Sequence, residues 1–251
     1  MLKFGYNQPM ETRPHRPGDL LGVIRHRLLV NQLVDPAEAA ARLPEGMRPH
    51  VSSSGGVVVG CCLLAIDSAR PWPAPAAVGK TVRAAAHRIS AEITPSSGEV
   101  TRSVYVPGRH TDGLLPVLAG GRIVPGVHER AWIDLSVSDE AVSWDVRGRS
   151  ASHDGGGFNI RVVADRTNAR EATSEIADIV IGTELGLSPG HRPDAIESAE
   201  LRPATLKAES VELSLLESEF LDSFTTAEPA ETLLMSDVEL VWRRSSVQFS
   251  Q

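Results

Sequence analysis

The sequence predicts an α+β protein built mostly of antiparallel β-sheet. Short apolar or alternating runs recur along it, most of them bounded by glycine, proline, asparagine or aspartate. Helical spacing is confined to a few short segments, and no internal repeat is present.

The polar, proline-rich residues 1–19 read as an extended N-terminal arm, and residues 20–251 as a single domain. Leu20–Val34 reads as a strand with Arg25, His26 and Arg27 set between apolar flanks. Asp35-Pro36 then opens a short helix: aspartate suits the N-cap, proline the first helical position, and Glu38 the positive end of the helix. Val57–Asp67 is short and β-branched at its start, which predicts a buried strand, and the proline-rich Ser68–Gly79 predicts a loop. Thr81–Ile93 and Glu99–Val106 predict a hairpin, as do Ala131–Val137 and Ala141–Val146 around Ser138-Asp139-Glu140. Asp112 is placed to cap a short helix through Leu114, Leu115 and Leu118 that ends at Gly120-Gly121. Gly155–Gly157 reads as a loop before strand Phe158–Ala164, and Asn168–Ile181 as a helix capped by Thr167 or Asn168. Leu185–Asp194 reads as a Gly/Pro loop, Ala195–Leu216 as a half-solvated strand pair, and Leu233–Trp242 as the closing strand.

Composition narrows the function. The 251 residues carry a net charge of −7 with no basic stripe, which argues against nucleic-acid binding. No apolar run approaches the roughly 20 residues that span a bilayer. The polar N-terminus does not suit a signal peptide, so a reducing cytoplasm is expected. Cys61 and Cys62 are neighbours on a strand, point to opposite faces, and read as core packing. Lys3, Lys80 and Lys207 are the only lysines, so an amine nucleophile has few candidates.

Two ionisable clusters sit at breaks between buried segments: Arg109, His110 and Asp112 after Pro107-Gly108, and His128-Glu129-Arg130 after Pro125-Gly126. A histidine beside a glutamate can serve as acid or base near neutral pH, and arginines offer paired donors to a carboxylate. The same residues would equally form structural ion pairs at strand ends. No paired-cysteine or HxxxH spacing supports a metal, and no cofactor motif is present.

The order RHRLLVNQLVDPAEAAARLPEGMRP, VVVGCCLLAID, VYVPGRHTDGLLPVLAGGRIVPGVHERA, LKAESVELSLLESEFLDS and LLMSDVELVW resembles the acetoacetate decarboxylase-like superfamily, in its DUF2071 (YqjF-like) branch, over roughly Leu20–Trp242. The resemblance implies a curved sheet or cone-like barrel with a few short helices around a pocket, assembled as a homo-oligomer. Decarboxylases of that superfamily condense a buried lysine with a β-keto acid, a step that needs a neutral amine. Their paired lysines fall on His128 and Glu129, neither of which can form a Schiff base. Their early-strand arginine falls on Arg25, one glutamate falls near Cys61 and is lost, and another belongs around Arg83–Arg88, where no acid occurs.

The pocket so implied would be lined by Arg25, Arg88, Tyr105, Arg109, His110 and Arg130 as substrate-binding residues, with His128 and Glu129 as the catalytic pair. The partner expected is a small oxo-acid or carbonyl-bearing metabolite, handled by lyase, dehydration or isomerisation chemistry without a covalent amine. The alternative is a non-catalytic small-molecule-binding or oligomeric scaffold protein. The two differ at His128, which should face the pocket and titrate near neutrality only if it is a working acid or base.

Overall fold

β1 (Leu20–Val34) carries apolar residues on both faces because a core covers each face, and it is hydrogen-bonded on both edges, to β14 (Thr232–Ser245) and to β3 (Val57–Pro71). β3 pairs in turn with β4 (Lys80–Ile93), so β14–β1–β3–β4 forms one continuous antiparallel wall. The backbones of β1 and β3 approach so closely that a Cβ on Gly60 would stand 2.3 Å from the Val30 carbonyl oxygen. The computed structural model describes residues 14–95, 98–113, 125–148, 158–192, 195–204 and 207–245.

Both outer strands of the wall fork. β4 pairs through Ile89–Ile93 with β5 (Thr101–Tyr105) and through Ala84–Ala86 with β6 (Arg109–Thr111). β14 pairs through its last residues with β11 (Ile196–Pro203) and through Thr232–Leu234 with β12 (Glu209–Ser218). β10 (Leu185–Pro189) joins β5 to β11 and closes a first ring. β7 (Glu129–Val137), β8 (Ala141–Gly148) and β9 (Asn159–Glu171) join β6 to β12 and close a second. β2 (Met47–Pro49) and β13 (Glu228–Pro229) add short pairings to β4 and β1. The result is a 14-stranded sheet, antiparallel except at β5–β10 and β6–β7, in which two rings share one wall.

Side chains alternate across a strand, so the shared wall feeds both rings. Leu28, Val30, Cys61, Leu63, Ala85 and Ile89 face the second ring and pack with Trp144, Ile160 and Phe220. Leu29, Cys62, Leu64 and Ile66 face the other way and pack with Leu240 and helix α2 (Glu175–Ile181). Cys61 and Cys62 are both free and belong to different cores, as strand alternation requires. The remaining helices are short: α1 (Pro36–Ala40), a 3-10 turn at Ala76–Val78, and α3 (Glu219–Asp222).

The mostly antiparallel architecture, β1, the first two hairpins, β14 and the Asp35 cap follow the sequence reading; Asp35 accepts from the Ala37 amide at 2.7 Å. Four elements differ. Ser68–Pro71 continues β3 instead of belonging to the proline-rich loop, because Arg70 and Pro71 pair with Leu21 and Leu20 of β1. Residues 168–171 belong to β9 instead of starting a helix, because Arg170 and Glu171 pair with Ser210 and Glu209 of β12. The Thr167 hydroxyl bonds Asp165, and Ser174 caps α2 through the Ala177 amide at 3.1 Å. Leu185–Pro189 is a strand despite its glycine and proline, held between β5 and β11. β11 and β12 do not pair with each other; each joins β14 at a different end. The helix expected through Leu114–Leu118 and the Gly155–Gly157 loop lie outside the described residues. Of the N-terminal segment, Asp19 is buried and takes a 2.7 Å ion pair from Arg243, which holds the start of β1 against the end of β14.

Ser174→Ala is expected to lower stability by about 1 kcal/mol in denaturant titrations, whereas Thr167→Ala should leave α2 unaffected. Glu38 gives a second test. It accepts from the amides of Thr225 and Thr226 at 2.7 and 3.0 Å, and these bonds and the Thr226 hydroxyl bring its carboxyl from 4.5 down to about 2. A carboxylate whose folded pKa is depressed stabilises the fold above its unfolded value and loses that contribution as pH falls. The melting temperature should therefore drop as pH falls from about 4.5 toward 2, and Glu38→Gln should flatten that limb.

Candidate functional site

The two faces of β4 and β6 carry opposite chemistry. Ala86, Arg88 and Arg109 point toward the first ring, while Ala85, His87 and His110 point toward the second. Adjacent residues therefore serve separate compartments.

In the first ring, Arg27, Arg88 and Arg109 line a cleft of about 60 Å³ together with Cys62, Thr183, Glu184 and Trp242. Glu184 and Trp242 keep part of their surface in solvent, which opens the cleft on that side. Arg27 is 4% and Arg88 8% exposed. The Arg27 Nη1 lies 3.8 Å from the Met235 sulfur, and its Nε has no hydrogen-bond partner. Arg88 donates Nη2 to the Val180 carbonyl at 3.1 Å, and its Nη1 has none. Arg109, half-buried, donates Nε to the Ser188 hydroxyl at 2.9 Å. A Cβ on Gly126 would meet that Nε at 3.3 Å and Ser188 Cβ at 2.8 Å, so glycine there leaves the guanidinium its space.

Among the described residues, none of these three arginines has a carboxylate within ion-pair distance. Glu184, the acid in the lining, stands 3.8 Å from Arg202. Burial, with the charges of Arg27 and Arg109, brings Arg88 down to about 10, and burial does the same to Arg109. Both remain cationic at neutral pH.

The second ring holds a different set. His110, Phe158, His87 and Phe220 stack face to face with centroid separations of 3.5, 4.1 and 3.9 Å. Phe224 meets Phe220 edge-on at 5.3 Å, and Arg42 covers Phe224 at 3.8 Å. Burial holds the His87 imidazole well below its ordinary range, so it is neutral. Glu129 Oε2 lies 3.2 Å from His110 Nε2. Tyr105 is buried in the same core. The Cys61 thiol, 3.7 Å from the Ser218 hydroxyl, is pushed up to about 12 by burial and is inert.

The eight residues singled out in the sequence are thus dispersed. Arg88 and Arg109 share the cleft; Tyr105, His110 and Glu129 share the opposite core; Arg130 is exposed. Arg25 is exposed as well and lines neither. It is the extra residue of a bulge between Ile24 and His26, paired with Asp67 at 2.9 Å and Asp237 at 2.7 Å. Arg27 turns inward in its place. His128 and Glu129 engage different partners. The His128 Nδ1 donates to the Gly126 carbonyl at 3.0 Å, and burial and the Arg109 charge bring its pKa to about 3. Lys80 and Lys207 are both exposed, and Lys3 lies outside the described residues. Arg27, Cys62, Thr183 and Trp242 were not singled out from the sequence; the parity of Arg27 with Leu29, Cys62 with Leu64 and Arg88 with Ala86 was the available signal.

No family model matches the chain, and no curated protein does. Solved structures do match in fold. Acetoacetate decarboxylase from Legionella pneumophila superposes with a TM-score of 0.61 at 14% identity, over 98% of this chain and 93% of that one. An acetoacetate decarboxylase-like enzyme from Sphingomonas wittichii RW1 gives 0.58 at 15% identity, over 97% of each. The enduracididine biosynthesis enzyme MppR, solved with pyruvate, gives 0.57 at 11% identity over 93% of each. The chain has the acetoacetate decarboxylase-like fold.

Proton NMR should show His128 neutral and bonded through Nδ1–H, with no titration between pH 8 and about 4. A midpoint near 6.5 would contradict that placement. Because its folded pKa lies below the unfolded 6.5, His128 withdraws stability as pH falls from about 6.5 toward 3.

Proposed function

We propose that this chain is a diverged acetoacetate decarboxylase-like protein of the DUF2071 (YqjF-like) branch that binds an anionic, carbonyl-bearing small metabolite without a Schiff-base lysine. The observation that carries the reading is the cleft in which Arg88 and Arg109 stand buried or half-buried with no described carboxylate within ion-pair distance. A buried charge left unpaired is costly, and a bound carboxylate would relieve it through short charge-assisted hydrogen bonds. Structural relatives include an enzyme solved with pyruvate and with a pyruvate condensation product, which makes a small oxo-acid the natural candidate.

Both described lysines are exposed, so neither offers the buried amine that Schiff-base chemistry of this kind uses. His128, locked to a backbone carbonyl with its pKa near 3, is not poised as an acid or base, which favours binding over catalysis in the arginine cleft. Acid–base chemistry is a second reading, favoured by the 3.2 Å approach of Glu129 to His110. It belongs to the other ring, so it would act on a ligand held there and not on one held by Arg88. We further propose one domain over residues 20–251 behind the N-terminal arm, a cytoplasmic location and a homo-oligomeric state. No described helix is long and apolar enough to cross a membrane.

Calorimetric titration with pyruvate and acetoacetate should show binding that weakens at least tenfold in Arg88→Met and in Arg109→Met. Binding unchanged in both variants would remove the reading. Borohydride treatment in the presence of either acid should leave Lys80 and Lys207 unmodified by peptide mapping, with acetoacetate unconsumed; a reduced adduct would restore Schiff-base chemistry.

A further inference from the structure

The third arginine of the cleft changes the charge that its ligand must bring. We infer that the cleft is a site for a compact dianion, with Arg27 as the residue that sets the preference for two negative charges over one. The inference rests on the anion-binding reading above and makes it more specific.

Arg27 and Arg88, each with a buried nitrogen that has no hydrogen-bond partner (Nε and Nη1), line a cleft in which no described carboxylate lies within ion-pair distance of them. Arg88 stands close enough to both Arg27 and Arg109 for their charges to act on it. Three cations so grouped repel one another, and a single carboxylate would leave a large excess of buried positive charge. Two negative charges come closer to neutrality, and several acceptor oxygens on one small body can meet donors from three directions. Arg109 adds its terminal nitrogens, since its Nε is used on Ser188.

Size narrows the class further. The enclosed part of the cleft is small, about 60 Å³, so a compact anion suits it better than a bulky one. Inorganic phosphate, oxalate and malonate have the charge and are compact; a nucleotide or sugar phosphate would have to extend past Glu184 and Trp242 into solvent. Thr183 cannot be counted as a free donor, because its hydroxyl is given to the Ile179 carbonyl at 2.6 Å. Recognition therefore rests on the arginines.

The test titrates the full chain at constant ionic strength with phosphate, oxalate and malonate against acetate and pyruvate, read by calorimetry and by Trp242 fluorescence. At least one dianion should bind ten times or more tighter than either monoanion. Arg27→Met, which keeps an unbranched side chain beside Met235, should weaken dianion binding at least tenfold more than monoanion binding and so erase that preference; its fold is checked by circular dichroism, with Arg27→Lys as a second variant retaining the charge and the preference. If pyruvate binds but no dianion binds tighter, or if Arg27→Met keeps the preference, this inference is overturned and the broader reading stands. If neither class binds the wild-type chain, both fall together.

Discussion

The β14–β1–β3–β4 wall belongs to both rings at once, and strand alternation sends its buried side chains to one ring or the other. Every other feature of the molecule depends on that partition. β4 delivers His87 to one side and Arg88 to the other; β6 does the same with His110 and Arg109. Two chemically opposed interiors are therefore built back to back on the same backbone, separated by no more than the thickness of a sheet.

The two interiors meet the problem of buried polarity differently. In the second ring the imidazole of His87 is stacked between two phenylalanine rings and kept neutral, so it behaves as part of an apolar column. Large buried side chains such as Trp144 and Phe220 fill the space around it, and filling of that kind supplies most of a domain's stability. In the first ring, guanidinium groups cannot lose their charge at any physiological pH and keep it inside the fold. A buried charge without a partner costs stability, and that cost falls in the first ring.

Much of the architecture was legible because strong local signals agreed with tertiary context: β1, β3, β4, both hairpins and the Asp35-Pro36 cap. The elements that were not legible lacked a local signal. Residues 168–171 carry helix-compatible side chains, yet β12 supplies backbone partners at Arg170 and Glu171. Leu185–Pro189 reads as a loop because glycine and proline weaken strand propensity, and only its two flanking strands make it one. The candidate site suffered from two further effects. Arg109-His110 and His128-Glu129-Arg130 look like clusters in a linear chain, although neighbours in extended backbone face apart. Arg25 and Arg27 should share a face by simple alternation, and the bulge at Arg25 that separates them depends on Asp67 and Asp237 far along the chain.

The shared wall also limits how such a protein can diverge. Inserting or deleting one residue in β4 would exchange the occupants of the two interiors, driving Arg88 into the phenylalanine stack and His87 into the arginine cleft. Point substitutions, by contrast, alter one interior and leave the other untouched. Either compartment can thus be rewritten residue by residue, while the register of β4 between its pairings with β5 and β6 decides which compartment each residue enters.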